Sequence, residues 1–410
     1  MYELLSKLYY KDLEKYRNEY QKRINSYGTI DLPFQIKPYN FQEEYSCFYV
    51  NHPALDLLHE QIFKQSKLIQ SIMDDLPRIA INQYIKAKLV DELLSTNEIE
   101  GVHSTKAEME TVIEIVVKKD NPKKKVRHLS LMKTYFNLFS EVKTVIESVE
   151  QIRDIYDRLV KEEVKSEDKL DGVLFRKEIV DVVTSTGKTV HRGNYPEESI
   201  KKHLLIMINF LNNVPIPMLY KIAISHYYFG YVHPFYDGNG RTSRYISSMY
   251  LIDELDKLTA LTLSYSTNKS KQFYYDAFSE CNDPKNKGEL TYFCEVFFQI
   301  IHNAQNDILK DLSEKKEKME QLQELIHNIE DVSDLGRNIV YILGQHIIFG
   351  IEGTGMSKKE LEMGLEITDY VIRKELKTLE GQGYIKFIKQ RPIEVSLSDQ
   401  LENLLKVDVI

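Results

Sequence analysis

The chain has 410 residues, 42% of them apolar and 28% charged, and a net charge of −8. An acidic balance of this size excludes a bulk nucleic-acid binder, and the length allows two or three domains. Only 17 glycines and 11 prolines, set against abundant Leu, Ile, Lys and Glu, point to a mainly α protein.

The first 50 residues are Tyr-rich and read as a helix followed by irregular chain. Their start, Met-Tyr-Glu-Leu-Leu-Ser-Lys, has no apolar signal core. From Pro53 to about Val117 apolar residues recur at helical spacing, as in Leu55, Leu58 and Ile62. A Lys-rich, Pro-broken stretch from Lys118 to Arg127 reads as a surface linker. Residues 128–165 are again helical. Between Val173 and His191 the period changes, with β-branched runs on both sides of Thr184-Ser185-Thr186-Gly187-Lys188. That is a hairpin signal, the only one expected before the C-terminal region. Helices over 197–213 and 216–231 lead into the segment 233–244, and a helix from Arg241 to about Leu255 leaves it. Helical patterns follow over Lys271–Glu280 and Leu290–Leu312. Apolar residues at 312, 319, 322, 326 and 329 suit a connecting or dimerising helix, which makes a homodimer one expected arrangement.

The last part has another texture. Leu335 to Phe349 is helical, Ser357 and Glu360 form a capping-box pattern, and Thr368 opens a short helix to Leu379. Strand-like pieces follow at Tyr384–Lys389 and Ile393–Leu397. Three helices and then a hairpin is the order of a winged helix-turn-helix. Between residues 357 and 391 eight Lys/Arg face six Asp/Glu, a mild footprint for DNA, with Arg373, Lys374 and Lys377 on the expected recognition helix. No run reaches the roughly 20 apolar residues that a membrane-spanning helix needs. Three cysteines without metal-type spacing suit a reducing compartment, so a cytoplasmic location is expected.

Residues 233–244 read His-Pro-Phe-Tyr-Asp-Gly-Asn-Gly-Arg-Thr-Ser-Arg. The stretch offers a base for a hydroxyl proton, a carboxylate for a divalent metal, a Gly-rich turn for phosphate oxygens and two guanidiniums for the remaining charge. It resembles the Fic signature, His-x-Phe-x-(Asp/Glu)-Gly-Asn-(Gly/Lys)-Arg-x-x-Arg, at every specified position. The resemblance spans roughly residues 50–310 and implies a Fic helical core with a β-hairpin flap. Around it stand an N-terminal helical region and the C-terminal winged helix-turn-helix. The expected divisions are 1–120, 121–310, a connecting helix over 311–332, and 333–410.

The resemblance also implies roles. His233 would be the general base for a Ser, Thr or Tyr hydroxyl of a target protein. Asp237 would hold Mg²⁺. Gly238, Asn239 and Gly240 would cradle phosphate at the next helix's N-terminus, followed by Arg241, Thr242, Ser243 and Arg244. Arg241 would meet the β-phosphate and Arg244 the γ-phosphate of ATP. The implied enzyme is a nucleotidyltransferase, a protein adenylyltransferase that leaves AMP on the hydroxyl.

A second motif, Thr96-x-x-x-Glu100-Gly101, resembles the family's inhibitory motif. A carboxylate in a last helical turn opposes the helix dipole and gains from a cationic partner. The resemblance supplies Arg244, so autoinhibition by Glu100 is expected. Lys271 to Phe278 resembles the family's element near the adenine, with Ser270 and Phe278 departing from its Asn and Leu. Tyr274 and Tyr275 are the candidate base contacts there. The alternatives are AMP removal by the same site, or a winged-helix DNA-binding regulator that uses the Fic core as a nucleotide sensor.

Overall fold

The computed structural model describes residues 2–120, 122–139, 145–160, 163–183 and 186–406. Helices α1 (Leu5–Lys11) and α2 (Leu13–Ile24) are followed by strands β1 (Thr29–Ile36) and β2 (Tyr45–Val50), and then by α3 (Pro53–Asp74), α4 (Arg78–Ile99), α5 (Lys106–Val117), α6 (Leu129–Leu138) and α7 (Val149–Val160). The hairpin β3 (Asp181–Val183) and β4 (Thr189–Arg192) precedes α8 (Glu197–Asn213), α9 (Met218–Val232) and α10 (Asn239–Glu254). Next come α11 (Lys257–Ala260), α12 (Leu263–Lys269), α13 (Lys271–Cys281) and α14 (Thr291–His327). The chain closes with α15 (Asp334–Phe349), β5 (Met356–Ser357), α16 (Lys358–Leu365), α17 (Asp369–Gly381), β6 (Ile385–Gln390), β7 (Ile393–Leu397) and α18 (Asp399–Lys406). The fold is mainly α, with small antiparallel sheets.

The chain divides into two units. One comprises Met1–Lys67 and Asp91–Gln305, the other Leu68–Val90 and Asn306–Ile410. In the first, α9 is buried on all sides, from Leu219 through Phe229 and again at Tyr231 and Val232. A helix apolar around its whole circumference belongs in the middle of a core. Helices α8 and α10 pack on α9, so the α9–α10 turn starts from a fixed base.

Two expectations need correction. Residues 1–50 are not helix followed by irregular chain, because β1 and β2 pair antiparallel. Pro33 inside β1 and a register shift between Asp31 and Gln35 disguise the strand in sequence. The hairpin at 173–192 is also shorter than its pattern. Only Asp181–Val183 and Thr189–Arg192 pair, while Thr184 and Ser185 lie outside the described residues.

In the second unit α15, α16 and α17 enclose a core that includes Leu343, Leu361, Ile372, Leu376 and Leu379, all fully buried. The sheet order is β5-β7-β6. Ser357 and Glu360 form the reciprocal capping box of α16. Lys86 lies 2.9 Å from Glu360, and with Ser357 it outweighs burial and holds that carboxyl down at about 2.

Candidate active site

Helix α9 ends at His233, whose φ of 52° is left-handed and whose N–H closes the last turn onto the Phe229 carbonyl at 2.9 Å. The turn that follows is pinned from inside. Phe235 is fully buried and stacks on Tyr156 with ring centroids 3.8 Å apart. The Asn239 carboxamide then grips the Phe235 backbone twice, accepting from its N–H at 2.9 Å and donating to its carbonyl at 2.8 Å. Asn239 therefore spends its side chain on shaping the loop. The His233 Nδ1 faces the Gly230 carbonyl at 3.4 Å. Burial first, then the neighbouring His191 and Arg176, push its pKa well below the ordinary imidazole value. The ring is neutral at pH 7, as a proton acceptor must be.

Gly238 caps α10 at φ 79°, and the first intrahelical bond runs from Thr242 N–H to the Gly238 carbonyl at 3.0 Å. The amides before it, those of Asn239, Gly240 and Arg241, belong to the helix's unpaired first turn and make an anion site. A carboxylate stands beside it. Glu100 Oε1 lies 2.8 Å from Arg244 Nη2, and a Cβ on Gly240 would meet that same oxygen at 2.1 Å. Only a glycine lets the carboxylate come so close. Arg244 is 1% exposed and also donates to the Thr96 hydroxyl and carbonyl, each at 3.1 Å.

The sequence builds the end of α4 to suit. Gly101, at φ 71°, donates to the Glu98 carbonyl, and Val102 donates to that of Asn97. This pair of bonds is the Schellman motif, with Glu100 as its cap residue. From α13, Lys271 Nζ donates to the Ile99 carbonyl at 3.2 Å, a cation at a helix C-terminus.

The second motif arginine has different partners. Arg241 Nη1 lies 2.8 Å from Glu163 Oε2, and its Nη2 lies 3.3 Å from Asp237 Oδ2. The other Glu163 oxygen is 2.6 Å from His128 Nδ1. Burial works to raise the Glu163 pKa, but His128 and Arg241 outweigh it and hold it below the usual carboxylate range. Asp237 also accepts from the Gly238 N–H at 2.6 Å. Among the described residues no group of three His, Cys, Asp or Glu could hold a metal ion. A single carboxylate suits a cation that keeps waters and takes its other ligands from phosphates, which is the habit of Mg²⁺.

The remaining candidates divide. Thr242 is fully buried, and its hydroxyl donates back to the Gly238 carbonyl at 2.9 Å. The Ser243 hydroxyl turns to His226 Nδ1 at 3.1 Å. Both side chains serve the helix and core. Tyr274 is buried, with its hydroxyl 2.7 Å from His226 Nε2. Tyr275 is 42% exposed, and its hydroxyl reaches the Ile99 carbonyl at 3.4 Å, beside the end of the helix that carries Glu100.

Several residues of the site carry no sequence signal. Arg176 is fully buried and donates to the carbonyls of His233 at 2.9 Å, Glu178 at 2.6 Å and Asn194 at 2.8 Å. It ties the base of the hairpin to the loop after α9. Glu197, in the first turn of α8, accepts from the N–H groups of Val173, Leu174 and Phe175. These bonds draw 173–175 away from a strand path and explain the shortened hairpin. In sequence Arg176 stands within the β-branched run that opens at Val173 and Glu163 within the helical stretch 128–165, and no motif marks either.

Residues 146–251 match the model of the Fic/DOC family. Among solved structures the chain is similar to a Fic family protein from Desulfovibrio desulfuricans G20, at 17% identity and a TM-score of 0.52, covering 87% of this chain and 99% of that one. It is also similar to a Fic domain containing signaling protein from Bacteroides thetaiotaomicron VPI-5482, at 15% identity and a TM-score of 0.45, covering 62% of this chain and 97% of that one. The matched segment contains the α9–α10 turn with His233, Asp237, Arg241 and Arg244. The chain is thus similar to the Fic/DOC family over residues 146–251, and its fold is similar to that of a Fic family protein.

Proposed function

We propose that this protein is a protein adenylyltransferase held off by Glu100. The supporting observation is the carboxylate of Glu100, which pairs with Arg244 and stands against Gly240 at the start of α10, where a nucleotide phosphate would otherwise sit. Once Glu100 has moved away, Arg244 and the first-turn amides receive the phosphates of ATP. The neutral His233 takes the proton of a Ser, Thr or Tyr hydroxyl on the target. That oxygen bonds to the α-phosphorus, the bond from the α-phosphorus to the bridging oxygen breaks, and pyrophosphate leaves with the electron pair. Mg²⁺, held by Asp237, would neutralise charge on the phosphates. The β3–β4 hairpin presents a strand edge that can pair with an extended target segment.

The test uses ATP labelled on the α-phosphate, with Mg²⁺. Wild type should label itself weakly, and Glu100→Gly at least 100-fold faster. His233→Ala in that background should abolish labelling. A Glu100→Gly variant as silent as wild type would sink the reading. Loss of AMP from labelled protein only when Glu100 is present would favour AMP removal instead.

The three helices and two-strand ribbon of the second unit, with β5 added to the ribbon, support a further reading as a winged-helix module that binds DNA. Gel shifts at two salt concentrations test it, because phosphate contacts give a steep salt dependence.

A further inference from the structure

The two motif arginines differ in what surrounds them. Arg244 is paired with Glu100 and Thr96, on the helix assigned to the brake. Arg241 is paired with Glu163, just after α7, and with Asp237. Asp237 is also the candidate metal ligand, so a bound cation would draw that carboxylate away from Arg241. One anchor then remains, Glu163 at 2.8 Å. Glu163 is itself anchored, since its second oxygen is 2.6 Å from His128 Nδ1 and the His128 side chain is fully buried. His128 is fixed in turn as the cap of α6, at φ 62°. Both carboxylate oxygens are thus spent, one on each partner.

We propose that Glu163 is a positioning residue. It holds the Arg241 guanidinium by one nitrogen so that the opposite edge faces the β-phosphate of a nucleoside di- or triphosphate. A buried arginine without such an anchor would have several rotamers, and each phosphate contact would carry the cost of choosing one. Glutamine keeps one acceptor oxygen and no charge, so Glu163→Gln can hold Arg241 only through a neutral carbonyl, and His128 only by donating its amide to the other imidazole tautomer. The inference rests on the nucleotide-binding reading of the site.

The test is binding rather than turnover. Calorimetric Kd values for ADP and AMP, with Mg²⁺, are measured in Glu100→Gly and in Glu100→Gly/Glu163→Gln. Glu163→Gln should weaken ADP about tenfold and leave AMP within twofold, because AMP has no β-phosphate. Glu163→Asp, which keeps both oxygens, should recover part of the loss. A merely structural defect would weaken both nucleotides together, and that result overturns the proposal. So does an unchanged or improved ADP-to-AMP ratio. If Glu100→Gly binds neither nucleotide, the underlying reading fails and this inference falls with it. If the glutamine variant does not fold, the aspartate variant must show a selective ADP loss, and its absence counts against the proposal.

Discussion

The α9–α10 turn and the hairpin beside it are built on opposite plans. From Phe235 to Arg244 nearly every side chain is spoken for, with Phe235 stacked, Asn239 clamping backbone, and both arginines paired and buried. The hairpin is held at its base by Arg176, His191 and Glu197, while Val183 and Val190 are exposed. On the proposed function, the groups that would meet phosphate need fixed positions, because electrostatic stabilisation works through preorganisation. An edge that meets a protein segment needs open backbone and tolerates movement.

Three substitutions probe this contrast, in descending order of effect. Arg176→Ala cuts the joint between the two regions. It strands the carbonyls of His233, Glu178 and Asn194, and the expected loss is about 3 kcal/mol of stability. Denaturant melts measure it, and self-labelling in the Glu100→Gly background should fall by more than tenfold. A stable, fully active variant would show that the hairpin is held by something else.

His191 tests the same joint through pH. Burial first, then the charge of Arg176, lowers its pKa from 6.5 to about 4, although its Nε2 bonds the Tyr231 carbonyl at 2.6 Å. Between those values the unfolded chain takes up a proton that the folded chain refuses, so stability falls as pH drops from 6.5 towards 4. At pH 5 the loss through this one group is about 2 kcal/mol relative to neutral pH. The difference in stability between wild type and His191→Gln should shift by that amount across the range. A constant difference would mean that His191 titrates normally.

Gly187 probes the tip. Its φ of 79° favours glycine, and nothing lies within 4 Å of a Cβ there. Gly187→Ala should therefore cost about 1 kcal/mol through backbone strain alone and leave nucleotide affinity unchanged. A drop in ADP affinity would break the separation between tip and turn.

Much of this was legible in residues 233–244 because the chemistry there is local. A helix ending in a left-handed residue, a glycine cap and a new helix bring His233, Asp237, Arg241 and Arg244 onto one short connection. Glu100 was legible as a cap before Gly101, although its distance from Arg244 spans 144 positions. Arg176, Glu197, Glu163 and His128 were not, since each acts on groups distant in sequence and no periodicity marks a polar side chain that folds inward.

By itself the sequence determined the helical class, the helices flanking residues 233–244 and the composition of that turn. These follow from propensity, spacing and the φ that glycine permits. Only the tertiary structure decided that β1 and β2 pair, and that Leu68–Val90 joins the C-terminal segment in one unit. It also decided that Glu163 holds Arg241, a partner the sequence did not name. Burial makes an unpaired charge costly, so the partner of each buried arginine is chosen by which carboxylate the packing brings within reach.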